Sequence, residues 1–400
     1  VSISLPAFAP PAVSGLVTSW RQTEVPLEPP VGRYLGALQE AGRFEASLQL
    51  REGGNVARVA CFHAADTAGS AAVFAHLFTD PAFQQYQAAP VHAYLGREVV
   101  VLGHDAVVMV DGAALPETVS YIMTWRPGSR TERFVQGQSL TLRQKLPLIP
   151  SPVLDEVVIG FTASWNNYAH WMQESMPKLM AFLMLRARRP GLRVALPELT
   201  PGSFQAQCVA MLGISTAELV TVAVGEAVSF AHGWVITNTD IWAIHPILRD
   251  ISALLVARCP PPERNDRRLY IRREQTLRQV ANFDELIPTL EAAGFEVIAF
   301  EGMSLAEQIV TMQSATMVVA EHGAGLANIQ FCRPGTAVLE LFNEACVQPA
   351  FWSEASCFGL RFGFLIGRSL PDAQGHHDWN SSYDIEPADL RLALERMGAD

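Results

Sequence analysis

The chain is poor in lysine. Lys145 and Lys178 are its only two, and the other 27 basic residues are arginines, as in proteins from a GC-rich genome. Net charge is −11 and the pI about 5.4. An acidic chain repels nucleic acid and anionic membranes unless it carries a local basic patch, so nucleic acid is not an expected partner, and only a peripheral association with a membrane stays open. No stretch approaches the ~18 uninterrupted apolar residues of a membrane span; apolar runs such as Leu179–Leu185 are short and flanked by Lys178 and Arg186. The six cysteines, Cys61, Cys208, Cys259, Cys332, Cys346 and Cys357, form no C-x-x-C pair, which argues against a zinc ribbon. Their spacing suggests no disulfide framework, and free thiols fit a reducing cytoplasm. No charged-then-apolar signal segment opens the chain. The expectation is a cytoplasmic protein, with the inner face of the membrane as its alternative address. A G-x-G-x-x-G followed by an acidic residue ~20 positions on is also missing, which disfavours a nicotinamide oxidoreductase. His376-His-Asp378 sits in a polar stretch with no further ligand at convincing spacing. No metal and no cofactor is expected.

What is present is material for more than one core. Of 400 residues, 49% are hydrophobic and 17% charged, a balance that fits two globular domains. Residues 1–50 read as an irregular arm. Residues 51–150 combine a helical stretch, Ala71–Tyr86, with a hairpin. Its strands are Arg97–Leu102 and Ala106–Val110, split by Gly103-His-Asp105, and Asp111-Gly112 closes the next turn. Residues 1–150 are therefore expected to form an arm and a small β-rich module. From residue 151 strands alternate with helices, as in a mainly parallel sheet. The strands are Val157–Phe161, Leu192–Leu196, Leu219–Val224 and Trp234–Thr237; the helices are Tyr168–Arg188, Ser203–Gly213 and Arg249–Val256. Cys259-Pro-Pro-Pro262 breaks the chain like a linker. A second series follows, with strands at Arg268–Arg272, Phe295–Phe300, Met317–Ala320 and Ala337–Leu341, and helices at Phe283–Ala293 and Ser304–Ser314. Ser304 and Glu307 form a capping box. Two Rossmann-like domains are expected, 151–262 and 263–370, facing a cleft, with a C-terminal segment at 371–400. Ligands of such sheets bind at the carboxyl ends of strands.

Four segments could carry chemistry. In Glu321-His-Gly-Ala-Gly-Leu-Ala-Asn328 a strand runs into a glycine turn and then a helix from about Leu326. Gly323 and Gly325 permit close backbone approach and positive φ. A helix N-terminus there offers N–H groups to an anion, and His322 could donate to a phosphate oxygen. Many such turns carry glycine for shape alone. Arg264, Arg267, Arg268, Arg272, Arg273 and Arg278 cluster in 15 residues. The first three read as a solvated linker, whereas Arg272 and Arg278 are placed to meet a phosphate. In Asn166-Asn-Tyr-Ala-His-Trp-Met-Gln-Glu174, His170 and Glu174 lie four apart on one helix face and could act as a general base and its orienting carboxylate. A surface pairing of Glu174 with Lys178 is the plainer alternative. The Phe300-Glu-Gly-Met-Ser304 loop could meet a base or ribose through its backbone. Glu340, inside a strand, needs a partner, either a ribose hydroxyl or an internal arginine.

Together these segments resemble glycosyltransferase family 61 over about residues 155–365. The resemblance rests on Asn167, Tyr168, His170, Trp171, Glu174 and Pro177; on Arg272, Arg278 and Asn282; on Glu307-Gln308; on His322–Asn328; and on Pro334-Gly335 and Glu340-Leu341. Ala327 stands where the family often has Thr, and Arg273 beside Arg272 leaves open which arginine meets a diphosphate. The resemblance implies an α/β, GT-B-like fold and an inverting, metal-independent transfer. A sugar would pass from a nucleotide-sugar, usually a UDP-sugar, to a hydroxyl of a glycan or glycoconjugate. His170 and Glu174 would be catalytic. Arg272, Arg278, Glu301, Gly302, Met303, Ser304, His322, Gly323, Ala324, Gly325, Leu326, Asn328 and Glu340 would bind the donor. Asn167, Tyr168 and Trp171 would bind the acceptor. The arginine-rich, compact chain suggests bacterial surface-polysaccharide biosynthesis. A non-catalytic nucleotide-sugar- or glycan-binding protein on the same fold is the alternative.

Overall fold

The computed structural model describes residues 44–63, 84–103, 106–111, 156–237, 243–273, 277–371 and 375–398. It also describes short strand pieces at 15–17, 20–22, 113–115, 132–136, 139–143 and 146–150 and single positions 118, 239 and 241. Most of the expected helix Ala71–Tyr86 lies outside the described residues, and Tyr86 itself belongs to the strand Gln85–Ala88. The chain forms two compact units, Val1–Gly53 with Ala89–Thr239, and Gly54–Ala88 with Asp240–Asp400. Both are mixed α/β. Among the described residues, no helix is long and apolar enough to cross a membrane.

The first unit is built on a sheet whose central order is Leu219–Val222, Arg193–Pro197, Val157–Ile159, Ala227–Ile236, Val91–Leu102, Val108–Val110 and Ala113–Ala114. The first four pair in parallel. Val157, Val158 and Ile159 are buried without polar alternation, as parallel strands covered on both faces are. The expected hairpin is present, with Val100 opposite Met109. It does not belong to a separate module, however. Val91–Leu102 runs antiparallel to Ala227–Ile236 along nearly its whole length and so extends the main sheet. The sheet is consequently mixed rather than parallel throughout.

In the second unit the order is Phe295–Ile298, Arg267–Ile271, Ala315–Glu321, Ala337–Asn343, Arg361–Ser369 and Tyr383–Asp384. The first five are parallel and the last antiparallel. Cys61–His63 joins the edge of Arg361–Ser369, so part of the expected N-terminal module is a strand of this second sheet. The helix Ile247–Val256, expected to close the first half, also packs here: Ser252 Oγ donates to Gln330 Oε1 at 2.8 Å. A core of Tyr270, Leu286, Leu290, Val319, Leu339 and Leu341 is sealed by Leu390, Leu394 and Met397 of the C-terminal helix Pro387–Met397. That helix starts on a proline and stops at Gly398 with φ of 79°, the usual start and stop chemistry.

The parallel register has one consequence for function. Arg273, His322 and Asn343 follow or end three neighbouring strands at their carboxyl ends, so they share one edge of the sheet.

Candidate functional site

Each unit carries one constellation. In the first, Asn167 caps a helix that changes pitch twice. Tyr168–His170 is α-helical, Trp171–Ser175 is a π-turn, and Met176–Arg186 is α-helical again. Pro177 explains the widening: it has no N–H, and its ring would collide with the carbonyl of Gln173 in a regular helix. The Met176 N–H instead reaches back five residues to the Trp171 carbonyl. Such π-turns recur at functional sites.

At this turn His170 Nδ1 and Glu174 Oε2 are 2.8 Å apart, with side chains 17% and 13% exposed. Lys178 is not the partner of Glu174; its Nζ donates to the Ile236 carbonyl at 2.9 Å. Thr162 Oγ1 donates to the same Glu174 oxygen at 3.4 Å, a contact from the preceding loop that spacing along the helix could not show. An ionised carboxylate only accepts, so the His170 proton sits on Nδ1 and the basic lone pair on Nε2. The acceptor-side residues fare differently. Tyr168 is half-buried and meets Phe204 edge-on, with ring centroids 5.1 Å apart. Trp171 is fully buried behind it against the same Phe204, so it packs the helix and is closed to an acceptor. Asn167 Oδ1 accepts from the N–H groups of Ala169 and His170, which makes it a cap.

The second constellation surrounds the glycine turn. Glycine is needed at 323 for a reason other than φ, which is 167° and therefore extended. A Cβ built on Gly323 would lie 1.3 Å from Arg273 Nη1 and 2.5 Å from its Cζ. The missing side chain is the seat of the Arg273 guanidinium, whose Nη1 donates to the His322 carbonyl at 3.3 Å. Gly325 makes only ordinary contact with Phe300, so its smallness is not demanded in the same way. The segment after the turn, Ala324–Phe331, is a 3₁₀ helix, and Leu326 and Asn328 are buried within it. Asn328 Nδ2 donates to Gln308 Oε1 at 3.0 Å, a brace between helices rather than a ligand contact. Ala327 is buried too, so the hydroxyl missing there is no loss to an exposed surface.

Arg273 takes the place expected of Arg272. The Arg272 guanidinium carbon sits 4.1 Å from the Phe283 ring centroid and covers the start of the next helix. Arg278 does stand at the site: its Nη1 lies 3.7 Å from Cys346 Sγ and its Cζ 5.3 Å from the Trp379 centroid. The Nε atoms of both Arg273 and Arg278 are buried without a hydrogen-bond partner among the described residues. These donors are held in place with capacity unspent.

The partner of Glu340 is His322, not ribose or arginine. His322 Nδ1 and Glu340 Oε1 are 2.5 Å apart, both buried. Burial, then the charges of Arg278 and Arg273, pulls the His322 imidazolium down to about 3. Burial, then the nearby Glu354, pushes the Glu340 carboxyl well above its usual range. Both directions give a neutral pair in which the carboxyl O–H donates to Nδ1 and Nε2 carries the ring proton. Glu321 is held by Tyr270 Oη at 3.1 Å and the Val280 N–H at 3.3 Å. Burial raises it to about 7, against the pull of those bonds and of Arg273. Two arginines therefore face a neutral Glu340 and a Glu321 that is only half ionised near pH 7, which leaves this place at the strand ends net cationic and suited to an anion.

The elevated Glu321 carboxyl predicts a pH signature. Its folded-state value of about 7 lies above the reference 4.5, so the folded protein retains a proton that the unfolded chain has released. The stabilisation is complete below pH 4.5, declines as pH rises, and is gone above about 7. Denaturant titrations of wild type and Glu321→Gln should show their stability difference moving against the wild type across that window. A difference independent of pH would contradict the assignment.

The Glu301–Ser304 loop offers less than expected. Gly302 turns it with φ of 85°. The Met303 N–H is taken by the Phe300 carbonyl at 3.0 Å, and the Met303 carbonyl by Gln308 Nε2 at 3.1 Å. The Ser304 N–H and hydroxyl both go to Glu307 Oε2 at 2.7 Å, the expected capping box. The backbone groups of Met303 and Ser304 are thus used within the loop and its cap. His376 and His377 are exposed, and the described residues hold no group of three or more metal-ligating side chains.

A curated relative from Drosophila melanogaster, "EGF domain-specific O-linked N-acetylglucosamine transferase", is 31% identical over 123 residues. The match covers 29% of this chain and 23% of that relative, so the chain spans about a quarter of its length. The family model Glycosyltransferase 61 matches residues 168–339, a segment that contains the His170–Glu174 pair, both arginines and the His322 turn. Over residues 168–339 the chain is therefore similar to glycosyltransferase family 61.

Proposed function

We propose that the protein is an inverting glycosyltransferase that moves a sugar from a nucleotide-sugar to a hydroxyl of a glycan or glycoconjugate. In this reading the unit that carries Arg273, Arg278 and His322 serves the donor, and the unit that carries His170 and Glu174 serves the acceptor. The observation that carries the reading is the Arg273 guanidinium seated in the space of Gly323, beside Arg278 and His322. A diphosphate is the anion that such a group fits, because planar guanidinium groups bind phosphate bidentately.

The chemistry then follows from named atoms. His170 Nε2 takes the proton of the acceptor hydroxyl while Glu174 holds Nδ1. The hydroxyl oxygen bonds to the anomeric carbon as the bond from that carbon to the diphosphate oxygen breaks. The electron pair of the broken bond goes to the diphosphate, where Arg273, Arg278 and the His322 Nε2–H stabilise it. In this account the arginines carry the phosphate charge that a metal carries elsewhere. The curated relative is named for O-linked N-acetylglucosamine transfer, so UDP-N-acetylglucosamine is the first donor to try, and surface glycans are the first acceptors.

The test is a transfer and donor-hydrolysis assay across UDP-, GDP-, CMP- and dTDP-sugars in the presence of EDTA. Turnover of one donor is expected, with UDP-sugars preferred. Saturable UDP binding with no turnover on any acceptor would instead indicate a non-catalytic nucleotide-sugar-binding protein.

A further inference from the structure

We propose that Trp379 is the stacking platform for the nucleobase of the nucleotide whose phosphates meet Arg273, Arg278 and His322. The inference rests on the donor reading above but assigns a residue outside the family match, which ends at 339. Trp171, Trp234 and Trp352 are fully buried, whereas Trp379 keeps 39% of its surface exposed. It is not a stray surface ring. The Arg278 guanidinium lies over it at 5.3 Å. Arg278 adopts φ of 64°, a backbone region that side chains disfavour, and its N–H is held there by the Asn380 carbonyl at 3.1 Å. The loop bearing Trp379 is in turn fixed to the sheet. Asn343, last residue of its strand, donates Nδ2 to the carbonyls of Asp378 and Ser381 at 3.2 and 2.8 Å. The Asn380 N–H donates to Asp378 Oδ1 at 2.7 Å.

These bonds place an exposed indole at the strand ends, one arginine away from the His322 turn. A flat aromatic face beside a phosphate-binding arginine matches a nucleotide, whose base and phosphates need those two surfaces together. In the alternative base contact, the Glu301–Ser304 loop, the Met303 N–H and C=O and the Ser304 N–H are already engaged within the loop and its capping box.

Calorimetry on the full chain with two probes, UDP and inorganic pyrophosphate, separates stacking from support of Arg278. Trp379→Ala should weaken UDP by roughly tenfold to a hundredfold, the usual worth of a base–aromatic stack. Pyrophosphate should change by less than about twofold, and Trp379→Phe should recover most of the UDP affinity. Equal loss of both probes would overturn the proposal, because Trp379 would then only hold Arg278. No loss of either would overturn it as well. Loss confined to a UDP-sugar, with UDP unaffected, would give the ring to the sugar and overturn the base assignment. A wild-type protein that binds neither probe would instead defeat the donor reading itself.

Discussion

Replacing His170 with alanine is expected to lower kcat for sugar transfer by about 10²–10⁴-fold, the usual contribution of a positioned general base, while UDP affinity is retained. The expectation follows from the π-turn. Pro177 widens the helix at Trp171–Ser175, and His170 Nδ1 is then tied to Glu174 Oε2 at 2.8 Å, with Thr162 on the same carboxylate. The imidazole is thereby fixed in one tautomer. Glu174→Gln should lower kcat less, because an amide oxygen still accepts from Nδ1, and Thr162→Val less again. Rates at saturating donor and acceptor, measured beside UDP affinity, provide the check. If His170→Ala turned over at the wild-type rate, the base would have to be sought elsewhere.

The second large effect concerns a methyl group. Gly323→Ala places a carbon where the Arg273 guanidinium sits, 1.3 Å from Nη1. The backbone does not resist, since φ of 167° suits any residue, and the end of an arginine side chain can swing away. The variant should fold with a melting temperature near that of wild type and bind UDP about tenfold to a hundredfold more weakly, as for loss of a charge-assisted hydrogen bond. Arg273→Ala should show a similar loss, and the double variant little more than either alone. Two residues in one interaction give such non-additive energies. Losses that simply added would mean that Gly323 and Arg273 act independently. Arg272→Ala, whose side chain covers Phe283, should affect stability more than UDP affinity.

The contrast between Arg272 and Arg273 shows what a sequence of this kind discloses. The strand read at Arg268–Arg272, the glycine turn at 323 and the Ser304–Glu307 capping box are local patterns; the capping box is present as read, the strand runs Arg267–Ile271, and the turn leads at Ala324 into a 3₁₀ helix with Gly323 extended. The hairpin around Gly103 is local too. Side-chain destinations depend on residues far along the chain. Phe283 draws Arg272 away, and the emptiness at Gly323 draws Arg273 in. Likewise the partner of Glu340 is a histidine eighteen positions earlier on the neighbouring strand's end. Trp171, expected at the acceptor, is instead fully buried against Phe204 of the next helix. The unit boundaries were the least legible feature. Cys61–His63 pairs with Arg361–Ser369, three-quarters of the chain away, and nothing in either segment announces the other. Within Arg361–Ser369, Gly367 lies where the antiparallel strand Tyr383–Asp384 packs. The structure requires it, because a Cβ there would lie 2.5 Å from the Asp384 carbonyl and the Tyr383 ring.

The central claim is that a nucleoside diphosphate is held by Arg273, Arg278 and His322 without help from a metal. Titration of the full chain with UDP in EDTA, followed by calorimetry for wild type and Arg273→Ala, tests it most directly. The account predicts saturable binding at one site per chain in wild type, weakened about tenfold or more in the variant. Binding that appears only when a divalent cation is added, or that is unaffected by Arg273→Ala, would contradict it.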